Sequence, residues 1–493
     1  MDLLIGNIFR RNAEHVPHHV AASMGERTFS HLQLDASANR IARALREQGI
    51  GHGDRVVTWA DTSLAVLPLF AALAKLGAVF APLNARFGAD EATDVAALAR
   101  AKLFVADAAR AEAGETVADR LDIPHFARLT GERGPGLLLD PEALGGSTAD
   151  IDTPELRETD PHVIFFTSGS TGKPKGVVLS HRTNWLRGFQ GVFRDSPERS
   201  ICMFPFFHMG AFTLALTAWQ TRGEIGLVET ATAEQILEAV ERRRGNRLYC
   251  IPAVWARILE TPRNAYDTSS LHDVDTGTSA TPIELIRALK ERFPDSVTRI
   301  YYGSTESGSA TTLPDADVLR KPGSAGLPSP SVELRLSAAG EIQLRSPFLM
   351  DGYFDNPEAT DAALVEGWYQ TGDLGELDDE GYLSVVGRLK EIIRTGGESV
   401  APNEVEAALA NHPDVAEVTV VGIPDAQWGE VVCAVVVPKR GCSPSLEALQ
   451  RHCDARLASF KKPRRLECVP ELPRTAVTGQ VQRRLIVERI AST

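Results

Sequence analysis

Cysteine is sparse in this chain and nowhere arranged for chemistry. Cys202, Cys250, Cys433, Cys442, Cys453 and Cys468 are scattered, with no C-x-x-C pair and no neighbouring histidine cluster. That spacing indicates neither a disulfide framework nor a zinc site, and a reducing compartment fits. Long apolar runs are missing as well: no uninterrupted stretch reaches the ~18 residues a membrane-spanning helix needs. The longest candidate, 65–83, is broken by Pro68, Lys75 and Gly77, and reads as a buried helix running into a strand. Met1-Asp2-Leu3-Leu4-Ile5-Gly6-Asn7 lacks the basic region and apolar core of a leader. A soluble, cytoplasmic protein without membrane insertion is therefore expected. Positive charge is in deficit, 52 Lys plus Arg against 65 Asp plus Glu for a net −13, which argues against a general nucleic-acid or anionic-membrane binder. The dense basic patches are Lys461-Lys462-Pro463-Arg464-Arg465 and Arg483-Arg484. A solvated basic face explains them by default, and a phosphorylated small molecule would be partner enough.

What is present is ordinary globular material, 43% hydrophobic and 24% charged, in a chain of 493 residues that exceeds the usual size of one core. No internal repeat is apparent. Helical patterns at 36–48 and 283–292 alternate with short β-branched strands such as Val56-Val57, which predicts α/β layers with largely parallel sheets. From about Val332 the texture changes to short strands and turns, at 341–344 and 381–386, as in a small β-rich subdomain. After Gly387-Arg388-Leu389-Lys390 a compact α+β segment is predicted, with helices at 403–409 and 446–457 and strands at 418–421 and 433–438. The predicted organisation is a large N-terminal domain, 1–389, of layered α/β subdomains plus the β-rich one, hinged at Lys390 to a small α+β C-terminal domain, 390–493.

The most informative stretch is TSGSTGKPKG at 167–176, set between the apolar runs Val163-Ile164-Phe165-Phe166 and Val177-Val178-Leu179. Strand, polar loop, strand is the natural reading. Gly169, Gly172 and Gly176 let backbone N–H groups converge, and the hydroxyls of Thr167, Ser168, Ser170 and Thr171 add donors, with Lys175 close behind. Such a loop suits phosphate, although its spacing is not that of a P-loop. The decamer resembles the phosphate loop of the adenylate-forming superfamily, which includes acyl-CoA synthetases, peptide-synthetase adenylation domains and luciferases. The resemblance runs along nearly the whole chain, from Gly53-Asp54-Arg55-Val56-Val57 and Leu76-Gly77-Ala78-Val79-Phe80-Ala81-Pro82-Leu83-Asn84 to the last thirty residues, and acyl-CoA synthetases are the nearest group.

That resemblance implies roles. Tyr301-Tyr302-Gly303-Ser304-Thr305-Glu306 matches the aromatic-Gly-x-Thr-Glu motif: Tyr302 and Gly303 would face adenine, Thr305 a phosphate, and Glu306 would hold Mg2+. Tyr369-Gln370-Thr371-Gly372-Asp373 matches Y-x-T-G-D, with Asp373 on the ribose hydroxyls and Arg388 adding a ribose or phosphate contact. Thr276-Gly277-Thr278-Ser279 stands where the family often has Thr-Gly-Gly-Ala beside adenine, so Gly277 is kept and the second glycine lost. In Phe206-Phe207-His208-Met209-Gly210 the ring system of Phe207 and His208 would border the carboxylate pocket. The acyl group would meet Phe212, Trp219, Ser307 and Gly308. No acidic residue appears where amino-acid activators hold an α-amine, which favours a plain carboxylic acid. Lys390 would be the hinge, and Gly396 and Gly397 would let backbone lie along the pantetheine arm of CoA. The partners implied are a small carboxylic acid or its acyl-adenylate, ATP with Mg2+ if the enzyme adenylates, and CoA. A homodimer is in keeping with the family.

One part is missing. Near position 480 the family typically reads Pro-Arg-x-x-Thr-Gly-Lys, and its lysine contacts the carboxylate and the α-phosphate as they react. Here Pro473-Arg474-Thr475-Ala476-Val477-Thr478-Gly479-Gln480 carries one inserted residue and ends in Gln480, which offers hydrogen bonds without charge. The expectation is an enzyme that turns an acyl-adenylate and CoA into an acyl-CoA, with adenylation weak or supplied by a separate adenylating enzyme. The alternatives are a complete ligase that tolerates Gln480 by using Lys461 or Lys462, a non-catalytic acyl-adenylate or nucleotide sensor, and transfer to a carrier-protein thiol.

Overall fold

The computed structural model describes residues 2–131, 134, 136–168, 174–189, 196–396, 398–425, 427–454, 457–475 and 479–491. It divides into two compact units, 1–323 with 328–333 and 345–369, and 324–327 with 334–344 and 370–493.

Two large, mainly parallel sheets dominate the first unit. In one, the strands Gly308–Leu313, Val297–Ser304, Asp273–Gly277, Arg247–Tyr249, Arg199–Cys202, Glu224–Leu227, Val20–Met24 and Arg27–Ser30 lie side by side in that order. In the other the order is Gly352–Tyr353, Pro174–Ser180, Pro161–Ser168, Val79–Pro82, Arg55–Trp59, Leu103–Ala106, His125–Arg128 and Leu137–Leu138. Helix Val66–Leu76 is buried along its whole length and ends on Gly77 in the left-handed conformation, delivering the chain to strand Val79–Pro82. This is the helix-into-strand reading of the 65–83 run, and no described helix is long and apolar enough to cross a membrane. Phe70 on that helix is the hub of an aromatic core, with Phe212 at 5.0 Å edge-on and Trp219 stacked at 6.2 Å.

In the second unit a small sheet grows from Glu333–Leu336, Glu341–Arg345, Trp368–Leu377 and Leu383–Arg388. A separate sheet has the order Glu398–Val400, Ile393–Thr395, Gly429–Pro438, Val415–Asp425, with Arg465–Cys468 pairing parallel to Gly429–Pro438. The strand Gly429–Pro438 is buried on both faces. Val432, Ala434 and Val436 enter a core with the helices Pro402–Leu409 and Leu446–Cys453, while Val431, Cys433 and Val435 enter another with Leu472 and Ile486. Period-two side-chain alternation makes one strand serve two cores.

The compact units part near Gln370 rather than at Lys390. Strand Trp368–Leu377 runs on into its antiparallel pairing with Leu383–Arg388, which ties the β-rich segment to the chain leading into the C-terminal sheet. Lys390 lies inside the second unit, exposed in the single turn Leu389–Glu391 between its two sheets.

Candidate active site

The first unit gathers its site residues at the carboxyl ends of the parallel strands Arg247–Tyr249, Asp273–Gly277 and Val297–Ser304, where open α/β sheets commonly leave a crevice for ligands. Tyr249, Gly277 and Tyr302 all stand at those ends. Gly277 has φ +156°, and a Cβ there would overlap the carbonyl of Tyr301 and come within 2.5 Å of the Tyr249 hydroxyl. Thr278, where the family often has glycine, holds the left-handed φ of +67° that glycine would take without strain.

Thr305 and Glu306 sit in the tight hairpin turn between Val297–Ser304 and Gly308–Leu313, not at a helix start. Ser304 and Ser307 close the turn reciprocally, each backbone N–H donating to the other's hydroxyl at 3.0 and 3.2 Å. Ser307 is thus buried as a turn-former, its own hydroxyl donating to the Gly308 carbonyl at 3.0 Å. Gly303 has no room for a side chain against the Gly308 carbonyl, and Gly308 adopts φ +67°. Tyr353 donates its hydroxyl to Glu306 Oε1 at 3.2 Å, and the Lys175 ammonium lies 4.6 Å over the Tyr353 ring. Burial and the Glu306 carboxylate push the Tyr353 phenol upward, so it remains a proton donor at neutral pH. The Tyr369 phenol is shifted far upward by burial and by Glu306, and it bonds Ser304.

Lys175 pairs across the hairpin with Thr167, and Ser168 with Pro174, in the expected strand–loop–strand. Gly169, Ser170, Thr171 and Gly172 lie outside the described residues, as does Gly397.

His208 is the N-cap of helix Met209–Gln220, its Nδ1 accepting the Gly210 N–H at 3.1 Å, which leaves the ring proton on Nε2. The ring stacks on Phe204 at 5.0 Å and 11°. Phe204 meets Tyr249 at 5.5 Å, and Tyr249 meets Tyr301 at 6.0 Å, so an aromatic chain runs from His208 to the sheet. Burial lowers the His208 pKa to about 4, so it is a neutral, oriented donor rather than a cation. Phe207 beside it is half-buried. Phe212 and Trp219 are not brought to a pocket. They are 1% and 0% exposed, Phe212 edge-on to Phe165 at 4.9 Å and Trp219 to Phe9 at 5.0 Å, with the Trp219 indole N–H donating to Ala21. Their spacing on an almost wholly buried helix makes core positions look like pocket positions.

In the second unit Asp373 and Arg388 face each other across the antiparallel pair, Arg388 Nε 3.1 Å from Asp373 Oδ1. Gly396 has φ +60°, and a Cβ there would come within 2.7 Å of the Trp428 ring. Gln480 is exposed and closes a turn with Thr475: its N–H donates to Thr475 Oγ1 at 3.0 Å and its carbonyl accepts from the Thr475 N–H at 2.8 Å. Lys461 is held by Glu404 at 2.6 Å and Lys462 by Asp454 at 2.5 Å.

Among the described residues no group of three or more His, Cys, Asp and Glu could hold a metal by itself. A single carboxylate such as Glu306 suits Mg2+ that arrives on phosphates and keeps several waters.

The family model described as AMP-binding enzyme matches residues 9–354, and that described as AMP-binding enzyme C-terminal domain matches residues 404–478. The chain belongs to the AMP-binding enzyme family. Its relatives over the full length include acid–CoA ligases. Indoleacetate–CoA ligase of Aromatoleum aromaticum is 35% identical, covering 96% of this chain and 95% of that protein. Feruloyl-CoA synthase of an Amycolatopsis species is 33% identical, covering 96% and 97%. ATP-bound MatB from Rhodopseudomonas palustris superposes with a TM-score of 0.88 at 29% identity, covering 99% of both chains. Two residues are not marked by any of the sequence motifs: Tyr353, in the short strand Gly352–Tyr353, and Arg187, whose guanidinium donates to the Thr305 and Glu306 carbonyls.

Proposed function

We propose that this family member is an acid–CoA ligase whose thioester-forming half is complete and whose adenylate-forming half is the weak step. What supports the reading is Gln480, an uncharged side chain where the resemblance to Pro-Arg-x-x-Thr-Gly-Lys would put the lysine, together with the engagement of Lys461 and Lys462 by carboxylates. In adenylation the acid's carboxylate oxygen attacks the α-phosphorus and pyrophosphate leaves, so charge builds where that lysine would reach. One preorganised donor aimed at such charge is worth ~10²–10³ in rate. In the second step the CoA sulfur attacks the acyl carbon, the acyl–phosphate C–O bond breaks, and AMP leaves as the thiol proton is lost. Gln480 is not needed for that step. Thr305, Glu306 and the neutral His208 would orient the adenylate, Asp373 and Arg388 would hold its ribose and phosphate, and Gly396 would line the pantetheine path. Mg2+, when bound, neutralises phosphate charge beside Glu306. The alternation between steps would turn on Lys390.

A monocarboxylic acid is the substrate class, with indoleacetate and ferulate the first to try. The test is acyl-CoA formation, read by mass spectrometry, from free acids with ATP and CoA against the matching acyl-adenylates with CoA alone. Product from the adenylates at a rate at least ~10²-fold above that from acids supports the reading. Equal rates would establish a complete ligase that tolerates Gln480, and product from neither would favour a sensor. Replacing CoA by a phosphopantetheinyl carrier protein separates the two thiol acceptors.

A further inference from the structure

We infer that Arg187 is a positioning residue for the active-site turn: its guanidinium, on the helix that follows the phosphate-loop hairpin, holds the peptide planes on both sides of Glu306 and so aims Thr305 and Glu306 at the nucleotide's phosphates. The inference rests on the acid–CoA ligase reading, because it assigns Arg187 a role toward the same nucleotide.

Arg187 lies on the helix His181–Gly188, which continues directly from strand Pro174–Ser180. Its residue is 6% exposed, yet among the described residues no carboxylate pairs with it. Three carbonyl oxygens accept from it instead. Nη1 donates to Thr305 at 2.8 Å, Nη2 to Glu306 at 2.9 Å, and Nε to Phe348 at 2.9 Å. A cation buried without a counter-ion is costly unless its donors are fully used. Here all three nitrogens are used on backbone, and two of the three bonds fall on successive residues of the catalytic turn. Burial lowers the pKa only to about 10, with Glu306, Asp351 and Tyr369 opposing the fall, so the group stays charged.

The consequence is geometric. Thr305, Glu306 and Ser307 form the turn between the paired Ser304 and Gly308; the Glu306–Ser307 peptide is already held by the Ser307 N–H on Ser304 Oγ and by the Met350 N–H on the Glu306 carbonyl at 2.7 Å, but neither bond holds the Thr305–Glu306 peptide plane. Arg187 bonds both peptides. The same helix is tied at its start, where Asp351 Oδ2 accepts the Ser180 N–H at 2.6 Å and the Thr183 hydroxyl at 3.3 Å. Movement of the phosphate-loop strand is therefore passed to the turn through one short helix. A rigid five-donor fork can bond two successive carbonyls at once, whereas a lysine ammonium is a point charge on a flexible stem. The Gly308 backbone also needs to approach Arg187, since a Cβ there would meet Nε at 3.0 Å.

The test is a binding cycle on the full chain, with wild type, Arg187→Lys, Glu306→Gln and the double variant titrated with ATP, with and without Mg2+, and with AMP. Melting temperature is recorded for each. Arg187→Lys is expected to bind AMP within about twofold of wild type but to lose most of the Mg2+-dependent gain in ATP affinity, on the order of tenfold, as a displaced ligand would. The double variant should be no weaker than Glu306→Gln alone, since contacting residues couple and independent ones add. Arg187→Gln, which keeps fewer donors, should fall at least as far and serves if the lysine variant folds poorly. Additive losses, or equal losses for AMP and Mg2+-ATP, would mean a general packing role and overturn the inference. An unchanged Mg2+ response in Arg187→Lys would overturn it too. Wild type that binds no nucleotide would sink the ligase reading itself, a failure recognisable before any variant is compared.

Discussion

The two units hold their candidate site residues in opposite ways. In the first, Glu306, Tyr353 and the Lys175–Arg187 segment come from three separate stretches of chain and are held by part-buried bonds to backbone, carboxylate and ring face. In the second, Arg388, Lys390 and Gln480 are exposed on strand ends and single turns. Residues of the first kind cannot change without disturbing packing, whereas residues of the second kind can be exchanged at little cost to the fold. An exchange at the exposed position 480 is the sort of change the second arrangement tolerates.

The largest effect expected from breaking this contrast is at Gln480. Gln480→Lys, combined with deletion of Val477 to restore the family's spacing, should raise ATP–pyrophosphate exchange by ~10²–10³ while leaving the melting temperature within a degree or so. Unchanged exchange would mean that the residue at position 480 does not limit adenylation. Next comes Gly277→Ala in the first unit, where the added methyl overlaps the Tyr301 carbonyl. It should cost about 3 kcal/mol in chemical denaturation and lower nucleotide affinity together. Retained stability would show that the strand end can give way.

Acid should act through the first unit. Burial lowers the pKa of His31 and His208 to about 4 and of His181 to about 3, and holds that of His162 well below its ordinary value. Unfolded, these rings titrate near ~6.5, so below that pH the unfolded chain binds more protons. Stability that is full above pH ~6.5 should be lost as pH falls toward 4. The melting temperature measured from pH 7 to 5 should drop, and the slope should flatten in His181→Asn. The smallest effect is Thr278→Gly. Releasing a β-branched residue from φ +67° should stabilise by about 1 kcal/mol, partly offset by the chain entropy of glycine. A destabilised variant would mean that the threonine side chain contributes more than its backbone costs.

Regular periodicity is the legible part of the sequence. The helix at 283–292 and the strands around Val56 and 341–344 fall where the apolar pattern puts them. Helix 446–457 stops at Cys453, and the strand expected from Gly381 begins at Leu383, because Gly381 takes φ +83° in a turn that Asp378 caps. The phosphate-loop hairpin is legible because apolar runs flank it. Arg187 is not, since nothing in a pattern tells a buried arginine bonded to carbonyls from a solvated one. Trp219 misleads for the reverse reason: a large aromatic ring near a site motif looks like a ligand face until its neighbours are known.

The strand Gly429–Pro438, shared by two cores, has a further consequence. Its amides lie where a local opening would have to dismantle both cores at once, so Val432 to Val436 should be among the slowest in the second unit to exchange with deuterium.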